Sequence, residues 1–177
     1  MKKQPKSTEK TKQAFIDVFC ELYTQKPIEK ISVQEITNKA GYNRCTFYEH
    51  FNDIYSLLNH VKDDVWDFLR QKAHEVHDVV QNVISLYKEK GTYLNALLGD
   101  YGNNHFAEKL KTEFPLEVQE LALPDDNQFS PYLIEFHRAT VLSLFRLWHS
   151  RQEDLSLDEL VNLILRLYQG GLQQVNA

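Results

Sequence analysis

In the N-terminal part of the chain, apolar residues recur at three- and four-residue steps, the period of an α-helix packed on one face. Ala14, Phe15, Val18, Phe19 and Leu22 form a stripe that predicts a helix from about Thr8 to Tyr23, with Pro27 marking the loop after it. Val33, Ile36 and Ala40 share one face of a second, much shorter helix. Ser32 and Glu35 open that helix at the Ser-x-x-Glu spacing, in which hydroxyl and carboxylate each satisfy a backbone N–H that the first turn leaves unpaired. Gly41 can reverse the chain after only two turns. Asn43 then caps a third helix, along which Phe47 and Phe51 repeat at i, i+4 and point inward. From Ile54 onward Leu57, Leu58, Val61, Val65, Phe68 and Leu69 predict one long helix over 54–72, linking this small head to the rest.

Beyond residue 75 the period stays helical and strand signals are absent. Gly91, Gly99, Gly102, Pro115, Pro124 and Pro131 divide the stretch into helices near 76–90, 92–99 and 103–113, an irregular linker near 115–130, and two closing helices. Those two, near 131–149 and 156–172, are apolar nearly all round. One monomer covers one face of each, so the excess apolar surface asks for a partner, most economically a second copy in a four-helix arrangement. The predicted fold is all-α: an N-terminal three-helix helix-turn-helix domain over residues 8–53, then a helical dimerisation domain over 54–177.

Core packing does not account for the outer surface of the third helix, which carries Arg44, Cys45, Thr46, Tyr48 and His50. A helix held rigidly by a first one fits the major groove of B-form DNA, where its N-terminal side chains meet base edges. Arg44 can donate two hydrogen bonds to guanine, worth roughly 1–3 kcal/mol of discrimination. Cys45 and Thr46 are small enough to let the helix sit deep, while Tyr48, His50 and Asn43 can meet phosphates. Charge fits by its distribution. The chain of 177 residues carries −5 overall, yet residues 1–62 hold ten Lys and Arg against seven Asp and Glu, a balance of +3. Residues 63–177 hold ten against eighteen, a balance of −8. Five lysines fall in the first twelve positions, where a basic arm adds salt-dependent affinity for a polyanion.

The tract Thr46-Phe47-Tyr48-Glu49-His50-Phe51, followed by Leu57-Leu58, resembles the signature of the TetR (tetracycline-repressor) family, and the resemblance spans residues 10–61. It implies that Tyr42, Asn43, Arg44, Cys45, Thr46, Tyr48 and His50 occupy the positions that touch DNA, with Tyr48 and His50 on phosphates. It also implies a homodimer on a palindromic operator, released when a small-molecule effector changes the tilt of the helix at 54–72. Repression comes from that analogy alone. In one respect the chain departs from the family: many members have a lysine near the start of the fourth helix, and here Asn52-Asp53-Ile54 stands instead. Asp53 can still cap that helix.

For an effector site, Trp66, Tyr87, Tyr93, Phe106, Phe136 and Trp148 are candidate lining residues, with His137 and Arg138 as polar groups, although aromatics at this spacing are more often core. His74, His77 and Asp78 share a helix face but have no further ligand at metal spacing, so no metal and no cofactor is expected. A di-iron bundle would show Glu-x-x-His, and none of the seven histidines has a Glu three positions before it. No phosphate-binding loop or nucleophile elbow appears either, so an enzyme is not expected. The competing reading keeps the fold but turns the head toward a partner protein, as a co-regulator. No run of about 18 apolar residues and no apolar leader are visible, so a cytoplasmic location is expected and no membrane partner. The two cysteines, Cys20 and Cys45, are expected one buried and one facing DNA, without a disulfide.

Overall fold

A computed structural model describes residues 5–72, 79–113 and 130–175. Among them the chain is helical, with α1 (Pro5–Gln25), a 3₁₀ turn (Ile28–Lys30), α2 (Val33–Ala40), α3 (Arg44–Tyr48), α4 (Ile54–Lys72), α5 (Val79–Leu98), α6 (Asn104–Glu113), α7 (Ser130–Ser150) and α8 (Leu157–Val175). The linker expected near 115–130 lies outside the described residues, apart from Ser130 at the start of α7, as do His74, His77 and Asp78.

Local capping starts most of these helices, because the first four N–H groups of any helix lack an intrahelical acceptor. Ser32 Oγ accepts from Glu35 N, and Asn43 Oδ1 accepts from Thr46 N. Asp53 Oδ1 accepts from Ser56 N at 2.7 Å while Asp53 N donates to Ser56 Oγ at 3.0 Å, a reciprocal cap at the head of α4. Asn103 Oδ1 accepts from Phe106 N in α6. Before α8, Ser156 Oγ accepts from Glu159 N and the Glu159 carboxylate accepts from Ser156 N, closing a full capping box.

The chain packs as two units, Met1–Gln71 with Lys90–Ala107 and Lys72–Glu89 with Glu108–Ala177. In the first, Phe15, Phe19, Ile36, Phe47, Leu57, Val61, Val65, Leu94, Leu97 and Phe106 are wholly buried. Each such side chain contributes about 1.5–3 kcal/mol on leaving water. Of the predicted stripe of α1, Phe15, Phe19 and Leu22 are buried and Ala14 and Val18 half-buried, while Ile16, Cys20 and Tyr23 join the core. Phe15 faces α3 and Gln13 donates to Tyr93 Oη of α5 at 2.9 Å, so α1 is covered from two sides. Lys90, also on α5, pairs with Asp64 of α4 and lies 5.4 Å from the Tyr93 ring centre.

α5 corrects one expectation. Gly91 was expected to end a helix, but α5 runs through it without a break. A mid-helix glycine costs only ~1 kcal/mol relative to alanine. The buried Leu94 and Leu97 just beyond it more than offset that cost. The chain turns instead at Gly99 and Gly102. A Cβ on Gly102 would stand 2.2 Å from the Leu97 carbonyl oxygen, so only glycine fits this close return into α6.

In the second unit α7 and α8 pack together through Phe145, Trp148, Leu160, Val161 and Ile164, and the Tyr87 ring stacks on Phe145 at 4.3 Å. Trp148 Nε1 donates to the Leu155 carbonyl, tying the end of α7 to the turn before α8. Both helices also carry apolar residues in water: Tyr132 is 75%, Phe136 63% and Leu147 54% exposed on α7, and Leu163 43% and Leu167 56% on α8. Among the described residues no helix is long and apolar enough to cross a membrane.

Candidate nucleic-acid interface

α2 is fixed to its surroundings by charge as well as by Ile36 and Thr37. Lys39 Nζ meets Glu21 of α1 at 2.8 Å, and Lys26 Nζ reaches both carboxylate oxygens of Glu35 at 2.6 and 2.7 Å. Glu35 therefore does not perform the reciprocal half of the expected capping box. Its carboxylate is held by a lysine from the preceding loop, and only the serine half forms. A half-buried ammonium is a stronger partner for a carboxylate than one neutral amide N–H.

Gly41 ends α2 in the left-handed region at φ 75°, with the Gly41 and Tyr42 N–H groups bonded back to Asn38 and Thr37 carbonyls. This closure delivers the chain to Asn43 within two residues. The Asn43 side-chain oxygen accepts from the Thr46 N–H at 2.8 Å and from the Thr46 hydroxyl at 3.1 Å. Phe47 is wholly buried and Phe51 nearly so, as their spacing predicts.

Tyr42, Asn43, Arg44, Cys45 and Tyr48 are all exposed, and Thr46 and His50 are half-buried. They form one continuous surface from the turn to the end of α3. Arg44 and Cys45 occupy its first turn and Tyr48 its last residue. Thr46 contributes its methyl, since its hydroxyl is turned to the cap. Cys45 is a free exposed thiol, and Cys20 is free and buried. Burial pushes the Cys20 thiol up to about 12, with the nearby Asp17 charge adding to the effect.

An aromatic lattice lies beneath this surface. Phe15 of α1 stands 5.4 Å from both Tyr42 and Phe47 and 6.2 Å from His50. Phe47 in turn meets Tyr48 at 5.6 Å, and Phe51 meets His50 and the α4 residue His60. Burial, followed by the charge of Lys12, lowers the pKa of His60 below its ordinary value. The link from Phe15 to the surface rings was invisible to sequence reading: the α1 stripe marks Phe15 as core and nothing more.

Of the residues considered for an effector, Trp66, Tyr93 and Phe106 belong to the first unit, where Trp66 packs on Phe106 at 5.2 Å. Tyr87 belongs to the second. The side chains of His137 and Arg138 lie outside the described residues.

This arrangement, a capped short helix turned by glycine onto a second helix with a polar outer face, is that of a helix-turn-helix protein. Residues 15–61 match the tetR family of bacterial regulatory proteins. The chain is 33% identical over 82 residues to an uncharacterized HTH-type transcriptional regulator of Haemophilus influenzae, a match covering 44% of this chain and 40% of that relative. The match thus spans well under half the length of the relative. Among solved structures, a TetR transcriptional regulator from Streptococcus agalactiae superposes with a TM-score of 0.61 at 20% identity, over 92% of this chain and 96% of the other. A fatty acid degradation regulator from Bacillus halodurans superposes at 0.55 with 17% identity, over 97% and 98%. At these identities the two structures establish a shared fold. The N-terminal domain, over residues 15–61, belongs to the tetR family of bacterial regulatory proteins.

Proposed function

We propose that this protein is a transcriptional regulator, a repressor, that binds a palindromic DNA operator as a homodimer and releases it when a small molecule binds the helical body. The observation that carries the reading is the surface from Tyr42 to His50, where a glycine turn and an asparagine cap present Arg44, Cys45 and Tyr48 to solvent. Arg44 reads guanine, Asn43, Tyr48 and His50 hold phosphates, and Thr46 lends a methyl to thymine. One such head makes few contacts, so two related by a twofold axis are needed for specific binding. The exposed apolar faces of α7 and α8 support that pairing.

Effector control is a difference in affinity between two states, and a coupling of about 1–3 kcal/mol suffices for a useful switch. The candidate effector contacts are Trp66, Tyr87, Tyr93, Phe106 and His137. A mobility-shift assay on the promoter beside its own gene tests the DNA reading. Binding is expected to fall about 5- to 150-fold with Arg44→Ala, the loss of a guanine contact worth about 1–3 kcal/mol. Failure of the unaltered protein to shift that duplex at low salt would transfer the head to a protein partner.

A further inference from the structure

We propose that Phe15, on α1 and outside the helix-turn-helix itself, is a positioning residue for DNA contact that sets the orientation of Tyr42 and His50. The proposal rests on the DNA-binding reading given above. Phe15 is wholly buried, and three rings stand edge-on to it: Tyr42 at an interplanar angle of 65°, Phe47 at 67° and His50 at 60°. Tyr42 lies before the cap of α3 and His50 lies past its last helical residue. Their backbone is fixed, by Tyr42 N to the Thr37 carbonyl and His50 N to the Phe47 carbonyl, but these bonds leave the side-chain torsions open.

The surface rings divide among buried anchors: Phe47 faces Tyr48 at 90°, Phe15 meets Tyr42, and His50 lies edge-on to Phe15 and tilted at 47° against Phe51. Edge-to-face packing is directional, because the positive edge of one ring seeks the negative face of the other. A leucine at position 15 would keep apolar volume and lose that direction. Tyr42 and His50 would then have to be ordered during binding, at an entropic cost to affinity.

Phe19 provides a matched comparison. It lies on the same helix and is equally buried, but its ring stacks on Tyr23 at 5.3 Å. The experiment measures affinity of the full chain for the duplex beside its own gene, for Phe15→Leu and Phe19→Leu, with melting curves to verify folding. Phe15→Leu is expected to bind about tenfold more weakly than Phe19→Leu, equivalent to ~1.4 kcal/mol. On a Tyr42→Ala, His50→Ala background, Phe15→Leu is expected to add no further loss. If the leucine variant does not fold, Phe15→Met repeats the comparison with another ringless side chain. Equal losses at positions 15 and 19, or a Phe15 loss undiminished on the double-alanine background, would overturn the proposal while leaving DNA binding intact. An unaltered chain that ignores the duplex would overturn both, and is distinguished because no variant then differs from it.

Discussion

Two glutamates at the same helical position behave differently, and their surroundings explain why. Glu159 is exposed and closes its capping box with Ser156, whose hydroxyl and backbone N–H hold its carboxyl below the usual range. Glu35 occupies the equivalent place after Ser32, yet both its oxygens bind Lys26. The two cysteines are separated by the same kind of local physics. A thiolate is the reactive form, and burial disfavours it at Cys20, whose pKa is pushed up to about 12. At pH 8 that thiol stays protonated and shielded, while Cys45 lies open on the first turn of α3. An aromatic disulfide reagent should thus titrate one thiol in the folded protein and two in denaturant. Saturating operator duplex should slow the first reaction, since Cys45 would then face the groove. Two fast thiols in the native protein would contradict the packing of α1.

At the level of elements, the turn between α2 and α3 offers a clean test of backbone strain. Gly41 sits at φ 75°, and a Cβ there would meet nothing within 4 Å. Gly41→Ala thus adds no clash, only the left-handed penalty of roughly 1–2 kcal/mol. Urea unfolding of the variant should show that loss, and Gly41→Asn a smaller one, because asparagine tolerates this region better. Equal stability of all three would mean that the turn relaxes. This turn was legible in the sequence, as were the caps at Ser32, Asn43 and Asp53, because each depends on residues within three or four positions. The bounds of α4 and the inward set of Phe47 and Phe51 followed for the same reason. Contacts between distant residues were not legible. Nothing local announces that Lys26 captures Glu35, or that Phe15 stands under Tyr42 and His50. Gly91 misled for a related reason: its propensity cost is small and local, and the burial that outweighs it comes from tertiary packing.

At the scale of the whole molecule, the apolar residues on the outward sides of α7 and α8 should decide the assembly. Phe136 and Leu147 are three turns apart on one face, and Leu163 and Leu167 are one turn apart on another. Removing each such side chain from water contributes up to about 1.5–3 kcal/mol, and a twofold axis counts every residue twice. Sedimentation equilibrium of the unaltered protein is expected to give twice the 20.8 kDa mass of the chain. Leu163→Glu with Leu167→Glu would place four carboxylates across the proposed interface and should yield monomers. The buried set Leu160, Val161 and Ile164 is left unchanged, so the variant should keep its helical signal. Its head should stay intact as well, and DNA binding should persist only at low salt, where phosphate contacts alone can hold a single head. Halving the number of phosphates neutralised should roughly halve the slope of log affinity against log salt, which is about −0.9 per phosphate contact. A double-glutamate variant that remains dimeric would place the twofold contact elsewhere on the body.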